Sequence, residues 1–454
     1  MPQTDMPDGD MPDRDRPQSQ INRRRFLSAG AASFAAIPLA ALAVPPQFET
    51  SHPKIKRDRQ TALDLLSPSA SELQHGLELH ADAIVFDSYG FAPRAAVDAA
   101  VLNKAANLGA THIELEDLRE EMTMTRMVRD DEERAEFEEA FRASGVTCVF
   151  QNCGEEGQAP DMLIKRLARF TFTTDMMPEF WSKAVKPADV ERAKKQGRRA
   201  LYFSGNGVPL TQQWASVADE LRYVRIFFQL GIRMMHLTYN RRNMIGDGCA
   251  EKANGGLSDF GRAAIAEMNK IGVIPDVAHS GWRTSLEAAR VSQKPVVASH
   301  SGAAAVNRHI RTKPDEVIRA IADSGGYVGV CCIPPFLGKG GDINALLDHV
   351  DHIAKKFGPG HVTIGTDTAY ISRYQERESA KFTPPGTNRV RFAALWPDDA
   401  FDGHPRRDPS LAWTNWPLFT VGLVKRGYSD TDIRKILGGN VLRVAKATMP
   451  PDLA

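Results

Sequence analysis

The stretch from Gly272 to Arg311, GVIPDVAHSGWRTSLEAARVSQKPVVASHSGAAAVNRHIR, constrains the fold of this chain more than any other. Two apolar runs, Val273 to Ala278 and Pro295 to Ser299, each lead into a histidine, His279 and His300. The residues between them, Ser280 to Lys294, read as one helix, so the stretch is a β-α-β unit with an imidazole at the C-terminal end of each strand. In a parallel α/β sheet those strand ends gather at the ligand-binding face, and two imidazoles delivered there by the same rule can share one metal ion.

From Ala83 onward short β-branched runs alternate with amphipathic helical stretches, which is the pattern of a single parallel (β/α)8 barrel of TIM type, expected over residues 81–454. Strands are expected at Ala83–Asp87, His112–Leu115, Val146–Gln151, Ala200–Ser204, Met234–Thr238, Val273–Ala278, Pro295–Ser299, Tyr327–Cys332 and His361–Thr366, nine candidates for eight places. His112, Glu114 and Glu116 alternate along the second of these and read as a solvated edge, with substitute metal ligands as the other reading. Arg119 to Ala143 is dense in charge at helical period and reads as a solvated helix. Ser258 is placed to cap a helix running to Lys270; the glycines around it lack the order of a nucleotide loop.

Composition removes several function classes. The formal net charge of +1 supplies no basic face for nucleic acid or an anionic membrane, so small neutral or zwitterionic ligands fit better. Five cysteines form no paired metal-binding spacing; Cys148 and Cys153 are either a disulfide or two buried thiols.

The N-terminus carries its own signal. After a polar leader, Asn22-Arg23-Arg24-Arg25-Phe26-Leu27-Ser28 precedes an Ala-rich, mildly apolar run that ends in Ala41-Leu42-Ala43. This is the twin-arginine export pattern with an A-x-A cleavage site, so residues 1–43 are expected to be removed and the mature protein to be periplasmic or otherwise extracytoplasmic, with an N-terminal membrane anchor as the other reading. Residues 44–80, rich in Pro and Lys, are expected to wrap the outside of the barrel.

DVAHS at Asp276–Ser280, KPVVASHS at Lys294–Ser301, Arg311, IGTD at Ile364–Asp367 and LGGNVLRV at Leu437–Val444 follow in an order that resembles the renal or membrane dipeptidase family of metallopeptidases. The resemblance runs from about Ala83 to Ala445. It implies that one of the second and third strand candidates is the extra. It also implies a pair of zinc ions at the barrel mouth, held by a His-x-Asp pair, a bridging Glu and two histidines, with an Asp at the metal-bound water, a His at the tetrahedral intermediate and an Arg for the substrate carboxylate.

By that resemblance His279 and His300 are the two histidines, Arg311 the carboxylate binder and Asp367 the last-strand Asp. Elsewhere the chain departs: Tyr89 and Phe91 stand where the His-x-Asp pair belongs, Asn206 at the bridging Glu, and Tyr239 in place of the His of L-T-H-N. Two divalent ions held close repel strongly, and without the two carboxylates a two-metal site is not expected. The remaining set, His279, His300 and Asp367, suits one zinc or one ferrous ion, or no metal at all.

The function expected is a dipeptidase-like amide hydrolase on a small peptide or amino-acid conjugate. Asp367 would be the base, Tyr89 and Tyr239 hydrogen-bond donors to the oxyanion or else filler, and Arg311 and Asn206 the substrate contacts. Two alternatives stay open, a non-hydrolytic enzyme such as one maturing a peptide natural product, and a non-catalytic binding protein. Expected partners are the peptide-like substrate, the twin-arginine export machinery and, as an option, a second copy of the chain.

Overall fold

The computed structural model describes residues 48–383, 395–397, 399–401, 405, 407–451 and 453. The leader and the twin-arginine motif lie outside the described residues.

Among the described residues nine strands follow one another: β1 (Phe86–Gly90), β2 (Cys148–Asn152), β3 (Trp181–Ala184), β4 (Arg199–Gly205), β5 (Ile232–His236), β6 (Ile274–Asp276), β7 (Ala298–Ser301), β8 (Val328–Val330) and β9 (Val362–Ile364). Every pairing among them is parallel, in the orders β1-β2-β4-β5-β6 and β7-β8-β9, with β3 attached to β4 outside that path.

The two runs are joined into one barrel at both seams. Between β6 and β7, Val277 N–H donates to Val297 O at 2.8 Å and Val297 N–H to Pro275 O at 3.0 Å. Between β9 and β1, Asp367 N–H donates to Tyr89 O at 3.0 Å, while the buried Asp87 carboxylate accepts from Thr366 N–H at 2.9 Å and from its hydroxyl at 2.6 Å. Eight strands therefore make a (β/α)8 barrel. Phe86, Phe150, Tyr202, Met234, Ile274, Val297 and Tyr327, one from each of seven successive strands or the residue before it, form a buried cluster that fills the interior.

Two strand expectations need correction. His112–Leu115 opens a helix, His112–Thr125, because Thr111 and Glu114 form a capping box: the Thr111 hydroxyl accepts Glu114 N–H, and Glu114 returns to Thr111 N–H. The alternation of His112, Glu114 and Glu116 is thus a first helical turn. The extra strand is β3, absent from the sequence expectation; only Trp181 and Ala184 of its four residues are buried, too short a signal for period-2 reading.

Of the segment expected to wrap the barrel, residues 48–80 are described. They supply the helices Pro53–Leu66 and Ala70–Asp82, whose Ile55, Ala62, Leu66, Leu73, Leu77 and Leu79 join the main core. The β6–β7 connection holds the expected helix, at Trp282–Val291, and Ser258 caps Asp259–Ile271 through Gly261 N–H. All five cysteines are free, Cys148 and Cys153 included. Among the described residues no helix is long and apolar enough to cross a membrane.

Candidate functional site

The C-terminal strand ends place a cavity of about 260 Å³ over the histidines. Tyr89, Phe91, Asn152, Glu156, Asn206, Tyr239, His279 and Asp367 line it, with Ile333, Phe336, Trp396 and Phe401. A larger cavity of about 520 Å³ adjoins it and shares Phe91, Ile333 and Asp367.

His279 and His300 meet as the β-α-β unit requires: their Nε2 atoms lie 2.9 Å apart. The other nitrogen of each is also engaged, His279 Nδ1 with Asn240 Oδ1 at 2.7 Å and His300 Nδ1 with the Ser299 hydroxyl at 2.8 Å. Burial, with the Arg311 guanidinium nearby, holds both imidazoles well below their ordinary pKa, so both are neutral. Each is covered by a tyrosine from a position where the resemblance called for a histidine. Tyr89 stacks on His300 with centroids 3.9 Å apart, and Tyr239 on His279 at 4.1 Å. Burial pushes both phenols far above their usual range, so they stay protonated and able to donate.

Asp367 follows β9 in a left-handed backbone conformation, φ 53°, which a non-glycine residue adopts only at a cost of about 1 kcal/mol or more. Its N–H bond to Tyr89 O holds it there. Burial raises its carboxyl to about 6, with Arg311 and His236 pulling the other way. Asp367 lines both cavities, but among the described residues it forms no three-donor group with His279 and His300.

The donors that converge are those of His236, Asp276 and His300, with ligand atoms all within 4.8 Å of one another. Of the metal set expected from sequence, His300 alone belongs to this group. Residues of this chemistry fit one divalent ion; the neutral Asn206 and the tyrosines do not fit a bridged pair. Asp276 is ionised: burial raises it, but His236 and hydrogen bonds from Ser299 outweigh that and hold it below the usual carboxylate range.

A carboxylate also reaches the mouth from an unexpected loop. Glu156, after β2, accepts from Asn206 Nδ2 at 3.1 Å, so the position that lost its bridging Glu has an acidic neighbour after all. This corrects the expectation of a mouth stripped of acidic groups. His236, Asp276, Glu156 and Lys313 are what sequence reasoning missed. For His236 the signal was present, since it ends β5 by the same rule that singled out His279; an expected strand running on to Thr238 hid it. Asp276 lay inside a quoted motif without a role. The buried Lys313 Nζ donates to Ser280 O at 2.6 Å and Ser285 Oγ at 3.1 Å, and burial lowers it to about 7.

Arg311 is fully buried. Its Nη2 donates to His300 O at 2.9 Å, whereas Nε and Nη1 have no acceptor among the described residues. The guanidinium lies 5.3 Å from the Phe336 ring and 5.8 Å from that of Trp396, both cavity-lining residues.

Residues 74–376 match a family model described as membrane dipeptidase, peptidase family M19. Similar curated proteins include dipeptidase tcpJ of Claviceps purpurea strain 20.1, 28% identical over 269 residues that cover 58% of this chain and 54% of that protein. Dipeptidase verJ of Clonostachys rogersoniana is 29% identical over 231 residues, 50% of this chain and 51% of its own. The chain spans about half the length of the curated relatives it matches. Among solved structures, an amidohydrolase from Pseudomonas aeruginosa is 26% identical with a TM-score of 0.59, over 82% of this chain and 98% of the other. The probable dipeptidase PvdM from the same organism has the same fold at 20% identity and a TM-score of 0.60, over 83% and 98%. So has a metallo peptidase from Rhodobacter sphaeroides liganded with a phosphinate mimic of the dipeptide L-Ala-D-Ala, at 18% and 0.57, over 81% and 100%.

Proposed function

Because this chain belongs to the membrane dipeptidase family, peptidase family M19, we propose that it is an amide hydrolase cleaving a small peptide or amino-acid conjugate with a free carboxylate. The family implies a metal cofactor, and we assign this chain a single divalent ion. The dipeptidase names of the curated relatives and the dipeptide mimic bound by the Rhodobacter sphaeroides enzyme support the substrate class. The twin-arginine pattern supports export to the periplasm.

One observation carries the carboxylate: a fully buried guanidinium whose Nε and Nη1 have no hydrogen-bond partner among the described residues. Leaving such donors unpaired costs about 1–3 kcal/mol each, and a carboxylate is an acceptor that a guanidinium binds by strong charge-assisted hydrogen bonds. Phe336 and Trp396 stand beside the guanidinium on the cavity side, so a ligand reaches it by displacing one or both rings.

A bound divalent ion supplies polarisation of the amide carbonyl and a more acidic water. The protein residues do the rest. Asp367, at the cavity wall with a carboxyl near neutrality, takes the proton of the attacking water and passes it to the departing amine. Tyr89 and Tyr239, protonated and lining the same space, donate to the oxyanion. The aromatic wall of Phe91, Phe336, Trp396 and Phe401 keeps bulk water away from the scissile bond.

The test compares a dipeptide with its C-terminal amide. Arg311→Ala should raise KM for the free carboxylate about tenfold to hundredfold and leave the amide nearly unchanged. Arg311→Lys, which keeps the charge, should fall between. Equal losses on both substrates would remove the role. The stacked Tyr89–His300 and Tyr239–His279 pairs also favour a second reading, an elimination, isomerisation or peptide-maturation step with the phenols as acids. That chemistry yields a product of unchanged mass or one lighter by a small group, without added water.

A further inference from the structure

Below the mouth, three side chains from adjacent strands, His236, Asp276 and His300, are almost completely buried. Their hydrogen-bond partners determine where the protons sit. Asn206 Nδ2 donates to Glu156 at 3.1 Å, and since a carboxylate only accepts, the amide oxygen of Asn206 must face His236 Nδ1, with which it is hydrogen-bonded. His236 Nδ1 is therefore a donor, and Nε2 faces Asp276.

Among the described residues Nε2 has no partner that meets hydrogen-bond geometry; Asp276 Oδ2 lies 2.8 Å away, at ion-pair distance but with angles outside those of a hydrogen bond. The rest of the Asp276 carboxylate is already engaged: Oδ1 accepts Ala278 N–H at 2.9 Å and Ser299 N–H at 3.1 Å, and Oδ2 accepts the Ser299 hydroxyl. An imidazole nitrogen and a carboxylate oxygen at this separation need a proton or a metal cation between them. The third donor, a ring nitrogen of His300, lies within 4.8 Å of both.

We propose that the single divalent ion of this chain binds to His236 Nε2, Asp276 Oδ2 and His300, a site below the mouth that replaces one built on His279 and Asp367. Two imidazoles and one carboxylate suit Zn²⁺, Co²⁺ or Ni²⁺. Bonds of about 2.1 Å place two ligands on a four-coordinate ion about 3.4 Å apart, so the His236–Asp276 contact opens by roughly half an ångström on binding. Asn206 and Glu156 then have a defined task. They fix the His236 tautomer from outside, as the partners of metal-bound histidines do.

The inference rests on the metal requirement in the proposed function and not on amide hydrolysis, so its test uses the metal alone. The full-length chain, stripped with chelator, is titrated with Co²⁺ and followed by its visible absorption bands, with circular dichroism and thermal midpoints confirming that each variant is folded. One Co²⁺ per chain is expected. His236→Gln should weaken binding about a hundredfold or more. Asn206→Ala should weaken it about tenfold through loss of tautomer control, and Asp367→Asn and His279→Gln by less than about threefold. Unchanged binding in His236→Gln, loss in Asp367→Asn, or no Co²⁺ uptake by the native chain overturns the site. Peptide cleavage assayed separately distinguishes failure of this site from failure of the hydrolase reading.

Discussion

The two sides of the barrel mouth differ in what they have kept. On the β6–β7 side, His279 and His300 meet at 2.9 Å, and Asp276 accepts three hydrogen bonds from its neighbours. On the β1–β4 side, Tyr89, Phe91 and Asn206 occupy the places where the dipeptidase resemblance calls for His, Asp and Glu. The altered side is well packed, with Tyr89 stacked on His300 and Phe91 forming part of both cavity walls. The lesson is one of charge. Two carboxylates are replaced by neutral side chains on that side, and Glu156 beside Asn206 restores one acidic group there.

The sharpest way to break this comparison is to rebuild the altered side. Tyr89→His, Phe91→Asp and Asn206→Glu together should raise metal uptake, read by elemental analysis of the folded protein, from one ion per chain toward two. No gain would mean that these three positions are not the counterparts of the family's ligands.

Next in size is the loss expected at the opposite seam of the barrel. Asp367→Asn should lower the rate of amide hydrolysis about 10²- to 10⁴-fold, the usual contribution of a positioned general base, with little change in KM. Activity within tenfold of the native enzyme would assign the proton transfer elsewhere.

An acid limit on activity must be attributed to the right region, and a histidine far from the mouth supplies the control. His80 is fully buried, paired with the Thr420 hydroxyl at 2.7 Å and Ser144 O at 2.9 Å, and burial lowers it from 6.5 to about 3. Folding favours its neutral form. Its contribution is complete above about pH 6.5 and is lost as pH falls toward 3, at up to about 1.4 kcal/mol per pH unit. Urea midpoints measured between pH 7 and 4 should fall steeply for the native chain and less steeply for His80→Gln. Parallel slopes would show that the acid sensitivity of the fold arises elsewhere.

Much of this was legible before any coordinates. The β-α-β unit with a histidine at each strand end, the Ser258 cap and the eight principal strands follow from period and punctuation, because each is a local consequence of residue type. What was not legible depends on distance in the chain. Glu156 and Asn206 are fifty residues apart, and nothing local in either says that one orients the other. His236 was readable by the strand-end rule but was placed inside an overlong strand. The capping box at Thr111 was also readable, and a strand-like alternation of polar residues obscured it. The N-terminal helices show the same limit, since a Pro- and Lys-rich segment carries core residues only when the barrel gives them a surface to pack on.

The proposed function requires that the altered mouth still hydrolyse an amide. Its most direct test is to incubate the metal-loaded protein with a free-carboxylate dipeptide in water labelled with heavy oxygen and to weigh the products. The account predicts two amino-acid products, with one heavy oxygen in the newly formed carboxylate. A product of unchanged mass, or one formed without oxygen from water, would contradict it.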